Sequence, residues 1–253
     1  MAIALRKPKE IEKLRTASQA VAKTLNYLQK TVKPGMTLLE VDKLGEEYLN
    51  SLGARPSFKG LYGFPNAICT SLNEVIIHGI PDNKILEEGD ILGIDIGSEI
   101  EGWYGDAAIT MPIGKISKED EALIACSKDA LYYAIDSIKE GLRFKELSKL
   151  IENFIKDRGF IPLTKFCGHG IGKKPHCEPE IPNYVHNENI KAGPKIKNGM
   201  VFCLEPMICQ KEEEPVILDN DWDVVSKDGL RTSHYEHTVA VINGKAVILS
   251  EVN

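Results

Sequence analysis

Four carboxylates stand in apolar surroundings that only a cation or hydrogen-bond donors make tolerable. Asp95 lies inside ILGIDIGS and Asp106 follows in GDAAITM, while Glu205 in FCLEPMI and Glu236 in HYEHTVAV occupy similar strand-like settings. Burying an ionised acid is costly unless it is paired. Between the first two, GSEIEGWYG supplies turn residues, so their strands form a hairpin. With the turn centred near Ile100 and Glu101, Asp95 and Asp106 face one another. Facing residues have Cβ atoms about 4.5–5.5 Å apart, where like charges repel. Any one of these acids is also explained as a strand-edge or N-cap carboxylate served by backbone donors. Four at matching places are not.

Alternation puts Glu236 on the same strand face as His234, with His237 and Val239 on the other. His169 sits between glycines in GHGIG, which let the backbone pass close to a bound ion. Four carboxylates and one imidazole make an oxygen-rich set, suited to two divalent ions about 3.5–4 Å apart that share bridging acids. Such a pair activates water at neutral pH and polarises a carbonyl, so metal-assisted hydrolysis is the reaction class. Mn, Fe, Co and Zn all meet the donor set, and its composition does not choose among them.

The elements that must position these groups are written twice. The stretch VKPGMTLLEVDKLGEEYLNSLGARP aligns without a gap to IKEGLRFKELSKLIENFIKDRGFIP at a constant offset of 106, so that Gly35 meets Gly141, Glu40 meets Glu146 and Pro56 meets Pro162. Both copies read as a turn, an amphipathic helix and a Gly stop. Leu38, Val41, Leu44 and Leu49 form the core stripe of the first. A longer helix precedes each copy, from about Pro8 to Lys30 and from Ser117, whose SKED resembles an N-cap followed by acids. Strands follow, EGDILGIDIG in one half and NGMVFCLEPMI in the other. The expected architecture is α+β: one fused domain over residues 1–253, made of halves at about 1–113 and 114–253. A curved antiparallel sheet, covered by two pairs of helices, carries the site where the halves meet.

Composition narrows the setting. Of 253 residues 43% are hydrophobic and 27% charged, and the net charge of −6 argues against nucleic acid as a main partner. No apolar run reaches membrane-spanning length and MAIALRKPKE lacks a signal-peptide core, so a cytoplasmic location is expected. The six cysteines show no CxxC pair. They read as reduced thiols, and Cys167 and Cys177, though flanking the histidine segment, fit no zinc-type spacing.

Five motifs in this order, CTSLNEVIIHGIP, the Asp95/Asp106 pair, FCGHGIGKKPHCEP, NGMVFCLEPM and HYEHTVAV, make the chain resemble the bacterial type I methionine aminopeptidases over essentially its whole length. The resemblance implies the pita-bread fold and removal of the first methionine from new proteins, with a small second residue preferred. It implies that Asp95 chelates one metal, that Asp106 and Glu236 bridge both, and that His169 and Glu205 complete the second. Glu205 becomes the proton acceptor from the attacking water, His78 a neighbour of the first peptide bond, and His176 a stabiliser of the tetrahedral intermediate. The family's methionine pocket maps to Phe58, Leu61, Phe64, Cys69, Pro175 and Trp222. Three of these depart from its commonest pattern: Phe58 replaces a frequent Cys, Leu61 a frequent Tyr, and Pro175 a frequent aromatic residue.

His186, His234 and His237 match no family role, and His234 is the one expected near the site. The implied partner is a peptide or nascent-chain N-terminus beginning with Met, with a ribosome contact compatible and a monomer expected. Two rivals share the fold: Xaa-Pro metallopeptidases, which usually carry an additional N-terminal domain, and non-catalytic relatives, which typically lose ligand residues.

Overall fold

The computed structural model describes residues 3–185, 189–211 and 214–252. Its helices are α1 (Pro8–Thr31), α2 (Leu38–Ser51), α3 (Lys118–Ser137) and α4 (Phe144–Lys156). Local chemistry starts them. Ser117 caps α3 by accepting from the Asp120 amide. At α2, Thr37 accepts from the Glu40 amide while the Glu40 carboxylate accepts from the Thr37 amide, a reciprocal cap. The internal repeat extends to this detail, because Glu146 accepts from the Arg143 amide at the start of α4. Among the described residues no helix is long and apolar enough to cross a membrane.

A nine-stranded sheet carries the helices. Its central strands are antiparallel: Ile91–Ile100 pairs with Trp103–Pro112, which pairs with Glu236–Ile242, and this pairs in turn with Val201–Leu204. The last of these also meets Cys167–Gly170, whose other partner is Cys177–Pro182. Period-two alternation then sorts the side chains. Ile94, Ile96, Ala107 and Met111 pack with Val21, Leu25, Val41 and Leu49 of α1 and α2. Phe202, Leu204, Val239 and Val241 pack with Leu131, Ala134, Leu147 and Ile151 of α3 and α4. Asp95, Asp106, Glu205 and Glu236 have the opposite parity, so the concave face receives the acids.

Three local expectations are corrected. The hairpin turn is Glu101–Gly102, closed by Ile100 opposite Trp103, with φ of 51° and 76° at the two turn residues. These positive φ values are those of a two-residue primed turn, whose second position glycine suits. Asp95 therefore lies opposite Ala108, and Asp106 opposite Gly97. The register differs by two residues, which keeps both acids on one face but sets them diagonally. NGMVFCLEPMI is not one strand. It divides into Val201–Leu204 and Met207–Cys209, the latter in a three-stranded sheet with Thr232–His234 and Ile161–Pro162. Pro206, having no N–H to give a ladder, stands at the break beside Glu205. Finally, the glycines around His169 serve the neighbouring strands. A Cβ at Gly168 would strike the Cys203 carbonyl, and one at Gly170 the Glu178 carbonyl.

Asp42 joins helix to site. Buried on α2, it accepts from the Ala67 and Ile68 amides and from the Asn66 side chain, fixing the chain just before Cys69. Asp42→Ala leaves those amides without their acceptor, and urea unfolding should show a loss of roughly 1.5–3 kcal/mol.

Candidate metal centre and active site

Strand register lines up the first components. Cys69, Asp95, Ala108 and Glu236 lie on successive neighbouring strands in one row. The alanine between the two acids adds only a methyl group to the gap. His237 is opposite Leu204, which brings Glu205 beside Glu236 across the adjoining strand. Asp106 stands diagonally from Asp95, its backbone gripped by Thr238, which donates to the Asp106 carbonyl and accepts from its amide. The buried Asn183 side chain donates to the Glu205 carbonyl and steadies the strand break.

His169 reaches into this group from its own strand. Its Nε2 is 3.6 Å from Glu205 Oε1 and 3.9 Å from Asp106 Oδ2. These separations are beyond hydrogen bonding. Its Nδ1 lies 3.1 Å from the Gly170 carbonyl, and the Pro175 carbonyl is a second backbone partner of the ring. His234 Nε2 comes within 3.9 Å of Glu205 Oε2, so this histidine does border the site. His237 faces the other way, between Ser250 and Tyr132. His186 lies outside the described residues.

The electrostatics are those of a site built for cations. Among the described residues, Asp95 Oδ1, Asp106 Oδ1, Glu236 Oε1 and His234 Nε2 are buried without a hydrogen-bond partner. Burial pushes the Asp95 carboxyl up to about 7. Burial first, then the neighbouring anions, pushes Asp106, Glu205 and Glu236 well above the usual carboxylate range. Burial lowers His169 to about 3, leaving it a neutral imidazole with a lone pair to give. Orphaned carboxylate oxygens, mutual repulsion and a neutral imidazole fit divalent metal ions.

Beside the acids opens a cavity of about 530 Å³. Phe58, Leu61, Phe64, Cys69 and Trp222 line it together with the acids, His78, His169 and His176. Trp222 meets Phe64 edge-on at 5.0 Å between ring centroids. Gly97 has no Cβ where the Phe58 ring and Ser57 pack, so the residue opposite Asp106 makes room for the pocket wall. Pro175 is not on that wall, and its contribution is the carbonyl beside His169. The lone proline before His176 gave no sign of this, since the interaction uses the backbone.

His78 is held in a left-handed conformation, φ 59°, and its ring lies edge-on to Phe166 at 5.5 Å. The next turn is pinned by Asp223, which accepts from the Ile80 amide. Burial lowers His78 to about 4 and also depresses His176, whose ring centroid is 4.5 Å from that of His169. Sequence reasoning overlooked Tyr62, Ile77 and Phe166 on the cavity wall and Cys203 among the acids. For Cys203 a signal existed: it stands two residues before Glu205 on a strand and so shares its face.

Comparisons with known proteins agree with this geometry. Residues 12–243 match the model of metallopeptidase family M24. A methionine aminopeptidase of Helicobacter pylori (strain J99) is 60% identical over 253 residues, covering 99% of this chain and all of the relative. The crystal structure of a methionine aminopeptidase from Thermotoga maritima superposes with a TM-score of 0.96 at 35% identity, covering 99% of this chain and 100% of that one. A prolidase from Pyrococcus furiosus shares the fold, with a TM-score of 0.80 at 22% identity, and this chain covers 66% of its length. The curved pita-bread sheet with two helix pairs is thereby the observed fold.

The acid cluster sets a pH dependence with a definite sign. Asp95 moves from an ordinary 3.8 to about 7, so between those values the folded chain binds more protons than the unfolded one. Its contribution to stability is present below pH ~4 and lost as pH rises through ~7. Chelator-treated protein should therefore unfold at lower urea at pH ~8 than at pH ~5, and divalent ions should remove most of that difference. A midpoint independent of pH would contradict the cluster.

Proposed function

This chain is a member of metallopeptidase family M24, and from that premise we propose that it removes the N-terminal methionine from peptides and nascent proteins. The observation that carries the reading is the adjacency of the orphaned acids to an apolar cavity with histidines at its edge. Two divalent ions would fit the donor set, and Asp95, Asp106, His169, Glu205 and Glu236 are the residues that would hold them. When bound, such ions supply Lewis acidity toward the scissile carbonyl and lower the pKa of a coordinated water toward neutrality.

The remaining work falls to the chain's own side chains. Phe58, Leu61, Phe64 and Trp222 surround an unbranched thioether side chain, and sulfur–aromatic contact adds about 0.3–1.5 kcal/mol. Glu205, at the strand end beside the other acids and His169, serves as acceptor of the proton from the attacking water. Neutral imidazoles at His78 and His176 keep an N–H to donate, His78 toward the first peptide bond and His176 toward the oxygen that gains charge. With the methionine seated among these walls, a small second residue suits the space left beside His78 and His176.

Tests follow from these roles. Asp95→Asn removes a charge from the donor set and should abolish metal-dependent turnover. His176→Ala should lower kcat by roughly 10²–10³ with metal content retained, and loss of metal instead would make His176 a ligand. A metal-loaded assay should show cleavage of Met-Gly and Met-Ala peptides and none of Xaa-Pro peptides. The reverse pattern would assign the chain to the Xaa-Pro branch.

A further inference from the structure

We propose that Cys203 is an additional donor to the metal centre, its sulfur binding as thiolate to the ion held by Asp106, His169 and Glu236. The inference rests on the metal-dependent reading above and adds a soft ligand to an oxygen-rich set. Such a ligand gives the centre a preference for thiophilic divalent ions over Mn²⁺.

Position is the first argument. Cys203 stands in register opposite Thr238, the residue that holds the Asp106 backbone, and so on the same sheet face as Glu236, two residues away on that strand. One ligand atom each from Asp106, His169, Cys203 and Glu236 can be chosen so that all four lie within 4.8 Å of one another. Two of these residues, Asp106 and Glu236, each carry a buried oxygen with no partner, an observation independent of the cysteine. Both are at least nine-tenths buried, as is Cys203 itself.

Chemistry is the second. The sulfur lies where the apolar floor formed by Ile171, Val201 and Ala240 gives way to the acids. Thr238 Oγ1 is 3.5 Å away, a weak partner, and the Glu236 carboxylate accepts a hydrogen bond from the thiol, so the sulfur is already directed at a member of the donor set. On binding a divalent ion the sulfur–hydrogen bond would give way to a sulfur–metal bond, and the proton would pass to solvent. No change of oxidation state is involved. The other cysteines nearby differ in place. Cys69 adjoins Asp95 in the pocket wall, and Cys167 and Cys177 line the cavity, but none joins the four-residue set.

The experiment uses the full chain, stripped with chelator and reloaded with Co²⁺ under reducing, oxygen-free conditions. Wild-type protein and Cys69→Ala should both show a near-ultraviolet sulfur-to-cobalt charge-transfer band, and Cys203→Ser should lose it. Titrated separately, Cd²⁺ should bind Cys203→Ser at least about tenfold more weakly than wild type, with a much smaller change for Mn²⁺. If Cys203→Ser does not fold, as judged by circular dichroism, Cys203→Thr takes its place, a β-branched residue suited to a strand. Wild-type protein that binds Co²⁺ and cleaves Met-Ala but lacks the band would overturn the sulfur donor and leave the proposed function standing. A band that survives in Cys203→Ser overturns it as well. Failure to bind Co²⁺ at all would remove the metal centre, and this inference with it.

Discussion

Repulsion among buried carboxylates governs this molecule. Two like charges 4 Å apart repel by about 4 kcal/mol at an effective dielectric constant of about 20. Asp95, Asp106, Glu205 and Glu236 share one recess, and among the described residues Asp95 Oδ1, Asp106 Oδ1 and Glu236 Oε1 have no hydrogen-bond partner. That recess has two ways to be stable: it retains protons, or it takes up cations. The raised carboxyls describe the first state and the chemistry of an M24 peptidase requires the second. Even the supporting contacts make sense in this light. Thr238, Asn183 and the carbonyls near His169 bind backbone or ring positions and leave carboxylate oxygens uncommitted.

Much of this was legible from residue types because burial is written into patterning. The doubled helix pairs followed from an ungapped repeat, and the α3 cap at Ser117 from Ser-Lys-Glu-Asp. Acids embedded among Ile, Leu and Phe announced themselves by being costly there. Register was harder. Whether a turn centres on Ile100–Glu101 or Glu101–Gly102 is decided by two backbone angles, and the choice moves Asp95 from Asp106 to Ala108. Backbone-mediated roles left no trace in side-chain chemistry, which is why Pro175 reads as pocket wall yet acts through its carbonyl. The glycines flanking His169 were similarly misassigned: they answer to crowding from Cys203 and Glu178, which only tertiary structure reveals.

The same sheet and helices occur in a prolidase that is 22% identical, so architecture does not select the substrate. In the proposed function, selection falls to the walls of the cavity. Phe58 has its place because Gly97 is bare, and Leu61 and Trp222 continue that wall away from the acids. Phe58, Leu61, Phe64 and Trp222 come from segments outside the strands, whereas the acids come from strands and a strand end, so exchanging those four side chains leaves the carboxylates in place. Chemistry and specificity are thus held by different parts of one surface.

The strand bearing Glu236 runs between Trp103–Pro112 on one side and Val201–Leu204 on the other, late in the chain. It acts as a keystone. Until that segment has been synthesised and seated, the sheet lacks its central span and the recess lacks a wall as well as an acid. A partly made chain accordingly offers no complete pocket for an ion, and acquisition of catalytic power coincides with completion of the fold.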